Sequence, residues 1–188
     1  MVMLTNVGRR SMEKSGKLVD MEQSSLNGFE HNTLLENDGH GGFDNVSYHR
    51  GVNLDQDGRS IVAFDMDLDG DIDMYVANYR RRGSLLRNDT TGRNWLQVKL
   101  VGSRSNRDAV GARLTLVAGG VNQIRDVRAG EGFVSGSTLV QHFGLADTQR
   151  VDSLTIRWPS GLVQSIEHPP VNHRIRINED SEGYEIIR

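Results

Sequence analysis

Asp65-Met-Asp67-Leu-Asp69-Gly70-Asp71-Ile-Asp73 places five carboxylates within nine residues. Their mutual repulsion opposes a compact loop unless a cation neutralises it. Alternating Asp side chains, with a glycine that permits a sharp turn, suit Ca²⁺. That hard cation takes about six to eight oxygens at ~2.3–2.6 Å, and a loop supplies them from alternate positions. Asp65, Asp67, Asp69 and Asp73 are assigned as side-chain ligands. Asp71 is assigned through its backbone carbonyl, its side chain lying outside or behind the ligands. Water completes the shell.

The rival readings are weaker. An EF-hand needs a Glu at position twelve and flanking helices. Position twelve is Val76, and both flanks read as strands. Mg²⁺ prefers few carboxylates and keeps several waters. A solvated acidic turn without metal is the bland alternative. Catalysis by paired carboxylates lacks a facing acid or base. A neighbouring patch, Asn53-Leu-Asp55-Gln-Asp57-Gly58, has Ile61 at its ninth position and reads as a turn.

Other candidates carry less chemistry. Arg107, Asp108 and Arg113 could form an anion or sugar site, against the simpler account of a turn held by an Arg–Asp pair. His142 reads as a hydrogen-bonded structural histidine on a strand. His168 and His173 flank Pro169-Pro170 in a surface loop, and Arg80-Arg81-Arg82 is a solvated loop. Gly130-Glu-Gly132 lacks the Gly-Lys-Ser/Thr ending of a phosphate loop.

The elements that must position these residues read as β throughout. Ser60–Phe64, Ile72–Tyr79 and Leu85-Leu86 are strands around the acidic loop. After Asn94 the alternation becomes regular. Leu96, Val98 and Leu100 face one way and Gln97 and Lys99 the other; Leu114 and Leu116, Leu154, Ile156 and Trp158, and Ile175 and Ile177 repeat the pattern. Val121–Arg128, Thr138–Phe143 and Leu162–Ile166 complete the set, and Gly119-Gly120 signals a hairpin. This half is expected to be an antiparallel β-sandwich or jelly-roll-like domain.

Thr33-Leu-Leu-Glu-Asn-Asp38 matches Ser84-Leu-Leu-Arg-Asn-Asp89 at a spacing of 51 residues. Asn27 and Asp20-Met-Glu22 fall on Asn78 and Asp71-Ile-Asp73 at the same offset. A period of about 40–50 residues implies propeller blades or a solenoid. The first copy lacks an acidic segment, so the expectation is the C-terminal piece of a longer propeller, with a truncated or poorly ordered start at 1–25.

The acidic loop with Asn37-Asp-Gly-His-Gly-Gly-Phe43 resembles the FG-GAP/VCBS-type repeat family over residues 26–93. The resemblance implies a β-propeller blade with structural calcium, in extracytoplasmic adhesion or binding proteins. Residues 94–180 are similar to the ASPIC/UnbV domain. The similarity is carried by Asn94-Trp-Leu, Ser105-Asn-Arg-Asp108, Gly111-Ala-Arg113, Arg128-Ala-Gly-Glu-Gly132-Phe133, His142-Phe-Gly-Leu145 and Trp158-Pro-Ser-Gly161. Ala109 departs from the glycine usual there. The resemblance implies repeats upstream and this domain at the end, as in cartilage acidic protein-like proteins, followed here by a tail at 181–188.

Across 188 residues the net charge is -3, which argues against a nucleic-acid partner. No apolar run approaches the ~20 residues of a membrane span. Cysteine is absent, which excludes disulfides and thiolate chemistry. Residues 1–20 carry no signal-peptide pattern. The leading reading is a non-enzymatic, calcium-binding module of an extracytoplasmic binding or adhesion protein. Its partners would be upstream blades or other chains, an extracellular protein or a polysaccharide. The alternatives are an accessory or enzymatic factor in enediyne-type secondary-metabolite biosynthesis and a polysaccharide-binding module.

Overall fold

The structure, a computed structural model, describes residues 3–4, 30–132 and 134–187. The expected start at 1–25, apart from Met3-Leu4, and the repeat positions Asp20–Glu22 and Asn27 lie outside the described residues. Among the described residues every helix-or-strand element is a strand, so the chain is all-β. It forms two compact units, Met1–Ile61 with Tyr75–Leu86, and Val62–Met74 with Arg87–Arg188.

In the first unit β1 (Met3–Leu4), β2 (Leu34–Asn37) and β3 (Phe43–Asn45) pair antiparallel in that order. The turn after β2 is set by its side chains. Asn37 Oδ1 accepts from Gly39 N at 2.7 Å, and Asp38 Oδ1 from His40 N at 2.7 Å and Gly42 N at 2.9 Å. Such Asx bonds replace a ladder with a turn. The repeat partner Asn88 makes the corresponding bond to Thr90 N, at 3.3 Å. A second three-stranded sheet has the order β4 (Gly58–Phe64), β5 (Asp73–Asn78), β6 (Ser84–Leu86). Asp57, in the 53–58 patch, sits at φ 57° and pairs with Arg59 at 2.6 Å, as a turn residue does. Among the described residues no sheet closes on itself.

The second unit holds most of the core. β7 (Asn94–Val101), β10 (Gln141–Ala146), β13 (His173–Asn178) and β14 (Glu185–Ile187) make a sheet in the order β10-β7-β13-β14. β8 (Arg113–Ala118), β9 (Val121–Asp126), β11 (Ser153–Arg157) and β12 (Val163–Glu167) make another in the order β12-β11-β8-β9. Leu96, Val98, Phe143, Ile175 and Ile177 from the first sheet and Leu114, Leu116, Leu154 and Ile156 from the second are fully buried in one cluster. Each such side chain contributes about 1.5–3 kcal/mol. The β8–β9 hairpin turns at Gly119-Gly120, both at positive φ, as the sequence pattern requires.

Three details depart from the sequence reading. β13 pairs with β7 in parallel, Ile175 opposite Val98, so this sheet is not purely antiparallel. β10 begins at Gln141, not Thr138, because the Thr138 hydroxyl accepts from Val140 N in a local turn. It then runs past Gly144 through an irregularity to Ala146, which keeps Phe143 and Leu145 in the core. β14 lies in the expected tail and covers the edge of β13, with Arg176 and Glu185 paired. Three residues are too few to show a period.

Candidate metal centre

The acidic loop belongs to the second unit, where it lies against β7 and β10. Three contacts fasten it. Gln97 Nε2 donates to Asp65 Oδ2 at 2.6 Å. His142 Nε2 donates to the carbonyl of Gly70 at 2.8 Å. Gly70 packs so closely on the Trp95 ring that a Cβ there would lie 1.9 Å from ring atoms, and its φ is +99°. Only glycine meets both conditions. A carbonyl can only accept, so His142 carries its proton on Nε2. Burial holds its pKa below the ordinary histidine value, partly offset by that hydrogen bond.

Gln97 corrects an expectation about surface. It does point away from Leu96 and Val98, yet it is 2% exposed. The loop covers that face of β7, and the amide serves the carboxylate. Asp73 is also fully buried, at the start of β5, where alternation alone would have paired it with outward residues. Its two oxygens accept from Met66 N and Asn88 N, each at 2.8 Å. These bonds clamp the loop's first turn and the segment after β6 onto one side chain.

Carboxylate oxygens of Asp65, Asp67 and Asp73 lie within 4.8 Å of one another. Two oxygens bound to one calcium at ~2.3–2.6 Å cannot be more than about 5 Å apart, so this spread fits a shared cation. Asp65 Oδ1 is buried and has no hydrogen-bond partner. A buried, unpaired carboxylate oxygen is costly, and a cation is one group that satisfies it. The other two acids of the loop are turned elsewhere. Asp69, exposed, accepts from Asp71 N at 3.1 Å. Asp71 Oδ2 accepts from Thr90 N at 2.9 Å, while its Oδ1 is buried without a partner. Burial, then the neighbouring Asp69 charge, push Asp71 up to about 6. The nearest cation to Asp67 is Arg87, 3.9 Å away and itself mostly exposed, so it offsets little of the charge.

Among the described residues no hydrogen bond or ion pair joins Arg113 to Arg107 or Asp108. Arg107 and Asp108 are exposed, and the Arg107 carbonyl accepts from Gly102 N. Arg113 grips Asp126, with Nε–Oδ1 2.7 Å and Nη2–Oδ2 3.1 Å.

What holds the 102–108 loop is a residue that sequence reading missed. Glu179, 2% exposed, accepts from the backbone N–H groups of Ser103, Arg104 and Ser105 at 2.7–2.9 Å. It also accepts the hydroxyls of Ser105 and Ser160 at 2.7 and 2.5 Å. Burial alone would raise its pKa. The Ser160 hydroxyl and the Ser103 and Ser105 donors outweigh that and bring it down to about 2. No spacing rule marks Glu179, because the loop it holds is 74–76 residues away in sequence.

Residues 102–183 match the family model described as ASPIC and UnbV. No curated protein matches the chain. The ASPIC and UnbV segment includes Glu179 and its loop, all of β8–β13 and His142. β7 and the acidic loop precede the matched residues, although both pack into the same unit.

Proposed function

We propose that this chain is a non-enzymatic calcium-binding module, with the ion held by Asp65, Asp67 and Asp73. The observation that carries the reading is the set of three carboxylates within one cation's reach, one of them with a buried oxygen that no protein donor serves. Bound calcium would supply positive charge to a loop that otherwise crowds five acids, and so stiffen it. Asp69 and the Asp71 carbonyl would join with small movements of the exposed turn, and water would complete the shell. Gln97, His142 and the Gly70–Trp95 packing hold the loop in place for this. The reading extends to an FG-GAP/VCBS-type blade, a propeller shared with upstream blades or other chains, and an extracytoplasmic binding or adhesion role toward a protein or polysaccharide. Support for those extensions is the motif pair and the repeat alone.

The test is a thermal melt of EDTA-stripped protein titrated with Ca²⁺ and, in parallel, Mg²⁺. At a hundredfold excess over Kd, a ligand of the native state adds about 2.7 kcal/mol. For a chain of this size that corresponds to about 5–10 °C. The expected result is a saturable rise of that order with Ca²⁺, smaller with equal Mg²⁺, and absent in Asp65→Asn. A cooperative melt that ignores Ca²⁺ would overturn the proposal.

A further inference from the structure

The outer face of the β12-β11-β8-β9 sheet carries a row of charge. The strand register sets Arg157 opposite Arg113, and Arg113 opposite Asp126. Their inward neighbours Ile156 and Leu114 are fully buried, which fixes this row on the outer face. Like charges directly opposed across a sheet repel. Asp126 offsets one of them, gripping Arg113 in a bidentate pair while also lying 3.5 Å from Arg128. Arg128 is further shared with Glu131, at 3.6 Å. Among the described residues Arg157 has no such partner.

Arg113, Asp126, Arg128 and Arg157 line an open depression of about 520 Å³ together with Trp158 and Pro159. Its volume is in the range of small-ligand sites. A guanidinium is always charged and presents a planar fork matched to two acceptor oxygens. Arg113, already oriented by Asp126, and the uncommitted Arg157 therefore leave a place for one more oxyanion between or above them. We propose that this depression binds the oxyanion group of a small acidic ligand, a carboxylate or a sulfate, received chiefly by Arg157. The site is separate from the acidic loop and does not depend on it.

The test is an NMR titration of the full chain at constant ionic strength. Sodium sulfate and sodium glucuronate are the probes, and glucose is the uncharged control. The expected result is saturable shifts of the Arg157 and Arg113 Nε–Hε signals with at least one of the two anions, and none with glucose. Saturation by sulfate alone assigns a tetrahedral oxyanion; saturation by glucuronate alone assigns a carboxylate. Arg157→Gln is expected to weaken binding at least tenfold and Arg157→Lys by less, since it keeps the charge and loses the fork. Arg107→Gln, outside the depression, is expected to leave it unchanged. Linear shifts with both anions would overturn the proposal. So would an Arg157→Gln protein that keeps its fold and binds like the parent.

Discussion

Glu179 and the acidic loop both hold carboxylates with buried oxygens in the same unit, and they differ in how far those oxygens are served. Glu179 meets five donors at its two oxygens, and its pKa falls to about 2. The loop gathers five carboxylates, leaves one oxygen each of Asp65 and Asp71 buried and unserved, and pushes Asp71 up to about 6. The first is a finished structural clamp. The second is short of positive charge. The two therefore differ in the balance of donors to acceptors, not in the mere presence of acids.

The largest effect is expected at the clamp. Glu179→Ala strands three backbone donors and frees the 103–105 loop. It should cost about 3–5 kcal/mol, by the same amount in EDTA and in calcium, in denaturant melts. A loss that calcium reverses would break the distinction between the two sites. Gly70→Ala comes next. A Cβ at φ +99° against the Trp95 ring should cost about 2–4 kcal/mol and abolish the calcium-dependent rise in Tm, read in paired melts. Gln97→Ala removes one of the two donors to Asp65 Oδ2, leaving Gly70 N, and should cost about 1–2 kcal/mol in EDTA, less in saturating calcium, where the ion would serve the same carboxylate. Asp71→Asn should have the smallest effect and the opposite sign. With one negative charge gone from a partly exposed cluster, the EDTA-treated protein should gain up to about 1 kcal/mol at pH 7 in urea melts.

Acid titration sharpens the same contrast. Glu179 has its folded pKa below the ordinary value of 4.5, so its contribution is fully present above about pH 4.5. It should be lost as the pH falls toward 2. Stability measured against pH should drop through that window in the parent chain, and Glu179→Gln should flatten the drop.

The acidic loop, the core faces of β7, β8, β11 and β13 and the Gly119-Gly120 hairpin were all legible in the sequence, because each is a local pattern. What was not legible depends on partners far away. Gln97 reads as a surface residue because alternation cannot say what covers a strand's second face. The parallel pairing of β13 with β7 joins residues some 77 positions apart, and no short-range signal encodes it. Glu179 sits at the end of a strand with nothing in its neighbours to mark it. Within the loop, spacing marks the five acids but not how oxygens of Asp65, Asp67 and Asp73 converge while Asp69 and Asp71 turn to loop hydrogen bonds. Arg113 was picked out as a site residue, but its partner Asp126 and its neighbour Arg157 are brought to it only by sheet register.

The contact between Gly70 and the Trp95 ring also bears on how this sequence can change over time. The constraint runs one way: position 70, at φ +99°, cannot take a side chain while the tryptophan stays. Any side chain at 70 needs a smaller neighbour at 95, and the tryptophan excludes every residue but glycine opposite it. Among descendants that keep this loop docked, the glycine should outlast the tryptophan, and a substitution at 70 should be found only where the tryptophan has already been lost.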